Sequence, residues 1–299
     1  MILPLAYLNY PKIDPIIFSL GPLKVRWYGV AYLAGFILGY CALLAMARRK
    51  IFRIAPELIG DLIGWLALGV VIGGRAGWWI FYHHNIHEPE PWYQPVALWT
   101  GGMSFHGGLI GVILVLFIWS RVEKASFLNL ADCLALVTPI GLCLGRIANF
   151  INGELVGRPS NLPWAVLFPD YPQPRHPSQI YEALLEGPVL AGAVWLVRSI
   201  RSRRDGEVAA SFVTFYGLLR LLVEFTREPD VQLGFIFAHV PGLAWMTMGQ
   251  LLSIAIMIVG LVWWIILRRR PQSMPDISDA LPSKPESGKS QSGKSPAKA

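Results

Sequence analysis

The chain is 299 residues long, 54% of them hydrophobic and only 15% charged. A water-soluble domain of this size covers its core with roughly 25% charged residues, so an ordinary cytosolic enzyme and a disordered chain are both excluded. The net charge of +7 does not describe a nucleic-acid surface, because its lysines and arginines stand in short clusters between apolar runs; no nucleic-acid partner is expected.

A hydrocarbon core about 30 Å thick needs roughly 20 mostly apolar residues per helix. In chain order, such runs fall at about 27–47, 58–81, 103–120, 127–151, 179–197, 207–225 and 244–267. They predict an all-α, multi-pass integral membrane protein of about seven transmembrane helices. The start, MILPLAYLNYPKIDP, has no basic stretch ahead of an apolar run, so a cleaved signal is not expected. Twelve Trp and ten Tyr suit two membrane–water interfaces. Cys41, Cys133 and Cys143 lie in apolar runs and read as small buried hydrophobes.

Basic residues set the direction of insertion. Arg48, Arg49, Lys50 and Arg53 follow the first run, Arg121 and Lys124 the third, Arg198, Arg201, Arg203 and Arg204 the fifth, and Arg268, Arg269 and Arg270 the last. The alternate loop 82–102 has no Lys or Arg at all. The N-terminus is therefore expected in the periplasm and the C-terminus in the cytoplasm. Residues 1–270 form the membrane domain in this reading. Residues 271–299, rich in Pro, Ser, Gly and Lys, form a disordered cytoplasmic tail. The long outer loops, with Pro and aromatics interleaved, are expected to build a small periplasmic subdomain.

Arg75, Arg146 and Arg220 lie within apolar runs, where a charge costs at least about 2.5 kcal/mol. Snorkelling or an ion pair would account for any one of them. Three at a common outer depth favour a shared anionic ligand. Arg220 and Glu224 are spaced i, i+4 and can pair on one helical face. Arg146 and Asn149 share a face in GRIANFINGELVGR, where Gly153 and Gly157 suit positive φ or close backbone approach. Glu182, Glu186, Asp61 and Asp132 read as ion-pair halves for the arginines. His106, beside Gly107 and Gly108, has the residue type for a general base. No metal site is expected: His83, His84 and His87 lack a matching ligand set. No P-loop, GxSxG or HExxH is present.

Several motifs together resemble prolipoprotein diacylglyceryl transferase, a bacterial family. They are DPIIFSLGPLKVRWYG (14–29), GGRAGWW (73–79), GGMSFHGGLIG (101–111), GRIANFINGELVGRPS (145–160), HPSQIYEALLEG (176–187) and YGLLRLLVEFTREPD (216–230). The resemblance implies an inner-membrane enzyme. It would move the diacylglyceryl group of phosphatidylglycerol to the lipobox cysteine thiol of a prolipoprotein, releasing glycerol phosphate, with no cofactor. It implies Tyr28, His106, Arg146, Asn149, Glu154, Gly157, Arg220 and Glu224 as the residues that matter. Combined with the charge pattern, His106, Arg146, Arg220 and Glu224 are the expected catalytic residues. Tyr28, Arg75, Arg146, Asn149, Glu154 and Gly157 are expected to bind phosphatidylglycerol. A lipid transporter and a lipid-binding assembly factor are the competing classes, since both would also want arginines in a polar cavity.

Overall fold

Backbone amides in lipid have no water to bond, so an apolar run of spanning length closes its hydrogen bonds within a helix. The computed structural model describes residues 7–21, 23–82, 93–98, 101–200, 204–229, 235–236 and 246–270. Two short strands, β1 (Leu8–Asn9) and β2 (Ile16–Leu20), precede β3 (Leu23–Arg26), which runs directly into α1 (Trp27–Arg48). α2 (Ile59–Tyr82), α3 (Phe105–Val122) and α4 (Phe127–Asn152) follow, then β4 (Val166–Leu167). A broken helix comes next: α5 (Ser178–Leu184), a π-helical turn (Leu185–Val189) and α6 (Leu190–Ile200). The last helices are α7 (Glu207–Glu224) and α8 (Met248–Leu267).

All seven predicted runs are helical, with ends within a few residues of expectation. Among the described residues, six helices are long and apolar enough to cross a membrane; α7 is not among them. The reason is chemical, because α7 carries Glu207, Arg220 and Glu224 within its 18 residues. The predicted tail 271–299, and His83, His84 and His87, lie outside the described residues.

α4 is the central helix, in contact with α1, α3, α5, α6 and α7. Its N-terminal half packs Cys133, Leu136 and Val137 against Leu43 and Met46 of α1, Leu190 and Val194 of α6, and Val208 of α7. Cys41 departs from expectation and is exposed on the outer face of α1. Asp132 is wholly buried and, among the described residues, pairs with no arginine. It accepts the backbone N–H groups of Gly206 and Ala209, each at 2.7 Å. These are donors that the first turn of α7 cannot satisfy itself. Asp61 likewise accepts the indole N–H of Trp119, at 3.1 Å, and among the described residues holds no arginine.

Without a hydrophobic drive between helices in lipid, close packing of small residues supplies the attraction. α2 and α3 meet along Gly69, Gly73 and Gly77 on one side and Gly107 and Gly111 on the other. A Cβ on Gly107 would run into the Gly73 carbonyl. Gly107→Val should therefore destabilise the protein by about 1–3 kcal/mol through overpacking. Gly108→Ala should be nearly neutral, since its added carbon would meet only Val70, at 3.6 Å from O and 3.9 Å from Cγ1, ordinary van der Waals contacts. Thermal unfolding of the two variants in detergent checks this; equal midpoints would refute the packing argument.

A small β-containing cap sits where α1 begins and α4 ends. β1 pairs in parallel with β4, and β2 with β3 antiparallel around Gly21, whose φ is +58°. Val156, Val166 and Phe168 form its core with Tyr10, Phe150 and Tyr171. The Tyr10 hydroxyl is shared between the carbonyls of Phe150 (2.8 Å) and Ile151 (2.7 Å), at the open end of α4. Burial pushes the Tyr10 phenol above its ordinary pKa. Gly153 closes α4 in the left-handed region, at φ +69°.

Candidate active site

Five chain segments converge beneath this cap. The last turns of α4 bring Arg146 and Asn149, α5 brings Glu182, and the π-helical turn brings Glu186. The end of α7 contributes Arg220 and Glu224, with Arg227 just beyond it. Pro188 has no N–H for the helix ladder, and Gly187 next to it leaves helical geometry (φ −93°, ψ −108°). The helix therefore widens into a π turn, a feature often found at functional sites. Gly187 also lies against Cys143 of α4, at a distance no side chain would allow. That contact holds Glu182 and Glu186 close to the guanidiniums.

The ion pairs are mutual. Arg146 lies 2.9 Å from Glu182 through Nη1 and 3.0 Å from Glu186 through Nε. Arg220 lies 2.7 Å from Glu182 through Nη1 and 3.0 Å from Glu224 through Nη2. Arg227 reaches Glu182 at 3.1 Å. Glu182 and Glu186 are 0% exposed, and the three guanidiniums are only slightly accessible. Three cations thus face three carboxylates, so the cluster is neutral as it stands. Buried charges survive only when paired in this way. One feature leaves room for a ligand: among the described residues, Nη2 of Arg146 has no partner. Oε2 of Glu182, Oε1 of Glu186 and Oε2 of Glu224 are buried and face the guanidiniums of Arg146 and Arg220.

The expected i, i+4 pair of Arg220 and Glu224 is formed. Glu224 is further fixed by the Thr247 hydroxyl at 3.0 Å, from the capping box that starts α8. Asn149 is buried and donates to Glu154 at 2.8 Å and to Tyr28 of α1 at 3.4 Å. Glu154 orients asparagines and not arginines, since Asn152 is its other partner, at 3.3 Å. Gly157 is a point of close approach: a Cβ there would meet His176 and Thr226, each at 2.6 Å. In that loop, burial and the neighbouring Arg158 push His176 below its ordinary pKa.

Two sequence-predicted residues lie apart from the cluster. Arg75 is 4% exposed and gives its donors to the backbone carbonyls of Gln94, Pro95, Gly101 and Gly102, with its guanidinium 4.5 Å from the Trp78 ring centre. It fastens the loop after α2 and is not a third member of an arginine group at one level. The carbonyls of Gln94, Pro95, Gly101 and Gly102, brought to it by a fold-back that apolar periodicity does not report, satisfy it. His106 stands exposed on the first turn of α3, edge-on to Phe105 at 5.7 Å. Among the described residues it contacts no member of the cluster. Arg227 is the residue that sequence reasoning passed over. It lies beyond the end of α7, in a bridge with Gly157, where helical spacing no longer marks it.

The sequence profile of the family described as prolipoprotein diacylglyceryl transferase matches residues 15–266. The chain belongs to the prolipoprotein diacylglyceryl transferase family. Its relatives include the phosphatidylglycerol–prolipoprotein diacylglyceryl transferase of Nitratidesulfovibrio vulgaris strain Miyazaki F, 46% identical over 264 residues, covering 88% of this chain and 96% of that protein. The protein of the same name from Brucella anthropi is 43% identical over 286 residues, covering 92% of this chain and 98% of its own length. That of Legionella pneumophila strain Lens is 44% identical over 261 residues, covering 86% and 98%. The match to the prolipoprotein diacylglyceryl transferase family spans Arg146, Glu182, Glu186, Arg220, Glu224 and Arg227 alike.

Proposed function

We propose that this chain transfers the diacylglyceryl group of phosphatidylglycerol to the lipobox cysteine of prolipoproteins, the first step of lipoprotein maturation. The observation that carries the reading is the joining of Arg146 and Arg220, from separate helices, through one pair of buried glutamates. This is a rigid anion site at the ends of apolar helices.

In the reaction, sulfur attacks the glyceryl methylene carbon that carries the phosphate. A C–S bond forms, the C–O bond breaks, and its electron pair stays with the phosphate oxygen. The phosphate goes from one negative charge to two, so donors fixed beforehand bind the transition state better than the substrate. Arg146 Nη2 and the Arg220 guanidinium supply those donors. Glu182, Glu186 and Glu224 hold both forks still. Tyr28, Asn149, Glu154 and Gly157 shape the side of the site facing α1.

His106 is our candidate for the thiol proton, since it is exposed where a second membrane-borne substrate can arrive. His106→Gln should lower turnover by about 10²-fold, read as the mass gain of a lipobox peptide. High activity in that variant would remove His106 as the base.

We place the protein in the bacterial inner membrane with α7 as a seventh span, the N-terminus and β cap periplasmic, and the C-terminus cytoplasmic. Residues 1–270 form the membrane domain and 271–299 a tail. The absence of Lys and Arg from 82–102 supports this orientation. Val96 is exposed in that loop. In a chain with its own cysteines replaced, Val96→Cys should react with an impermeant maleimide added outside spheroplasts; labelling only after lysis would reverse the topology.

The deciding assay combines the purified chain, phosphatidylglycerol and a lipobox peptide. A mass gain of one diacylglyceryl unit on the peptide is expected. No gain, with lipid bound, would favour an assembly factor, and lipid crossing a vesicle without transfer would favour a transporter.

A further inference from the structure

α7 and α8 pack antiparallel, and close approaches at glycine mark their register. A Cβ on Gly217 of α7 would strike the backbone of Ser253 and Met257, and one on Gly260 of α8 that of Thr214. The same register sets Gly249, in the first turn of α8, against the end of α7. A Cβ there would lie 2.9 Å from Oε2 of Glu224 and closer still to Oε1. The Glu224 carboxylate therefore rests on bare backbone where α8 starts. Thr247 meets it from the neighbouring N-cap position. Its hydroxyl accepts the backbone N–H of Gln250 at 3.1 Å, which commits its one proton to Glu224 Oε1, 3.0 Å away. Gln250 in turn accepts the Thr247 N–H at 2.9 Å, and both side chains are buried. The other carboxylate oxygen, Oε2, holds Nη2 of Arg220 at 3.0 Å.

The side chains of the cluster balance to zero, yet its ligand in the transferase reading is an anion. A helix N-terminus carries roughly half a positive charge, and α8 sets that charge beside Glu224. Part of the carboxylate's negative charge is thereby met by backbone, which leaves the Arg220 guanidinium less neutralised toward a phosphate. We infer that Thr247 and Gly249 are positioning residues for diacylglyceryl transfer. The first turn of α8 holds the Glu224 carboxylate, and through it the Arg220 fork, in the pose that meets the developing phosphate charge. This rests on the transferase reading and adds to it two residues of a helix start that brings no charged side chain.

The test measures kcat and KM for phosphatidylglycerol, with a lipobox peptide as acceptor, in three variants. Gly249→Ala is the sharpest, because its methyl displaces only the end of the Glu224 side chain and leaves the capping hydrogen bonds in place. Alanine also suits a helix better than glycine, so the unfolding midpoint should match or exceed that of wild type. Its kcat should fall about tenfold with KM unchanged, the mark of an interaction made in the transition state. Thr247→Val should show the same split, through loss of one hydrogen bond to a charged group. Thr247→Ser keeps the hydroxyl and should restore wild-type kcat. Should Thr247→Val lose its fold along with the cap, Gly249→Ala decides alone. Wild-type kcat in Gly249→Ala or in a folded Thr247→Val, a rise in KM alone, or a Gly249→Ala midpoint that falls in step with activity would overturn the assignment. Equal losses in the valine and serine variants would do the same. Wild-type protein that transfers nothing to the peptide would instead overturn the transferase reading.

Discussion

Arg220→Lys should lower diacylglyceryl transfer by about 10²–10³-fold, the usual cost of losing an oriented donor to developing charge. The Arg220 guanidinium touches Glu182 at 2.7 Å and Glu224 at 3.0 Å through different nitrogens. A planar fork can hold both while its remaining edge meets the substrate. A lysine carries the same charge as a single point, with no second arm to span the carboxylates. The variant keeps the neutral charge balance of the cluster, so its unfolding midpoint should move little. Turnover is read as the mass gain of a lipobox peptide. Near-wild-type rates would take Arg220 out of the mechanism.

Glu182→Gln should cost about 3–5 kcal/mol of stability, because it breaks a buried ionic cluster from one side. Glu182 is shared by Arg146 at 2.9 Å, Arg220 at 2.7 Å and Arg227 at 3.1 Å. With its charge gone, three guanidiniums face only Glu186 and Glu224. An excess positive charge remains in a site with little water to screen it. Denaturant unfolding in detergent measures the loss. Glu154→Gln is the comparison: Glu154 is exposed and its partners are neutral asparagines, so a much smaller loss is expected. Equal midpoints for wild type and Glu182→Gln would refute the cluster as a stabilising unit.

The pair of Arg220 and Glu224 was legible in sequence because both lie on one helix, where spacing fixes proximity. Gly153 and Gly157 were legible for a related reason. Backbone demands such as a φ of +69° or a contact that excludes Cβ leave glycine as their mark. Arg75 was misread because depth along a helix says nothing about which neighbour supplies the acceptors. Here they are the carbonyls of Gln94, Pro95, Gly101 and Gly102, about twenty to thirty positions away.

The sequence by itself determined the helices, since lipid forces every long apolar run to satisfy its own backbone, and it determined the family through motifs spread along most of the chain. It also marked Arg146, Arg220 and Glu224, with Glu182 and Glu186 as their candidate partners, and missed Arg227. Tertiary structure alone decided the wiring. Glu182 and Glu186 meet Arg146 across about 40 residues only because the helix breaks at Gly187 and Pro188 and settles against α4. Which charges neutralise one another depends on interhelical packing, and local periodicity carries no record of it.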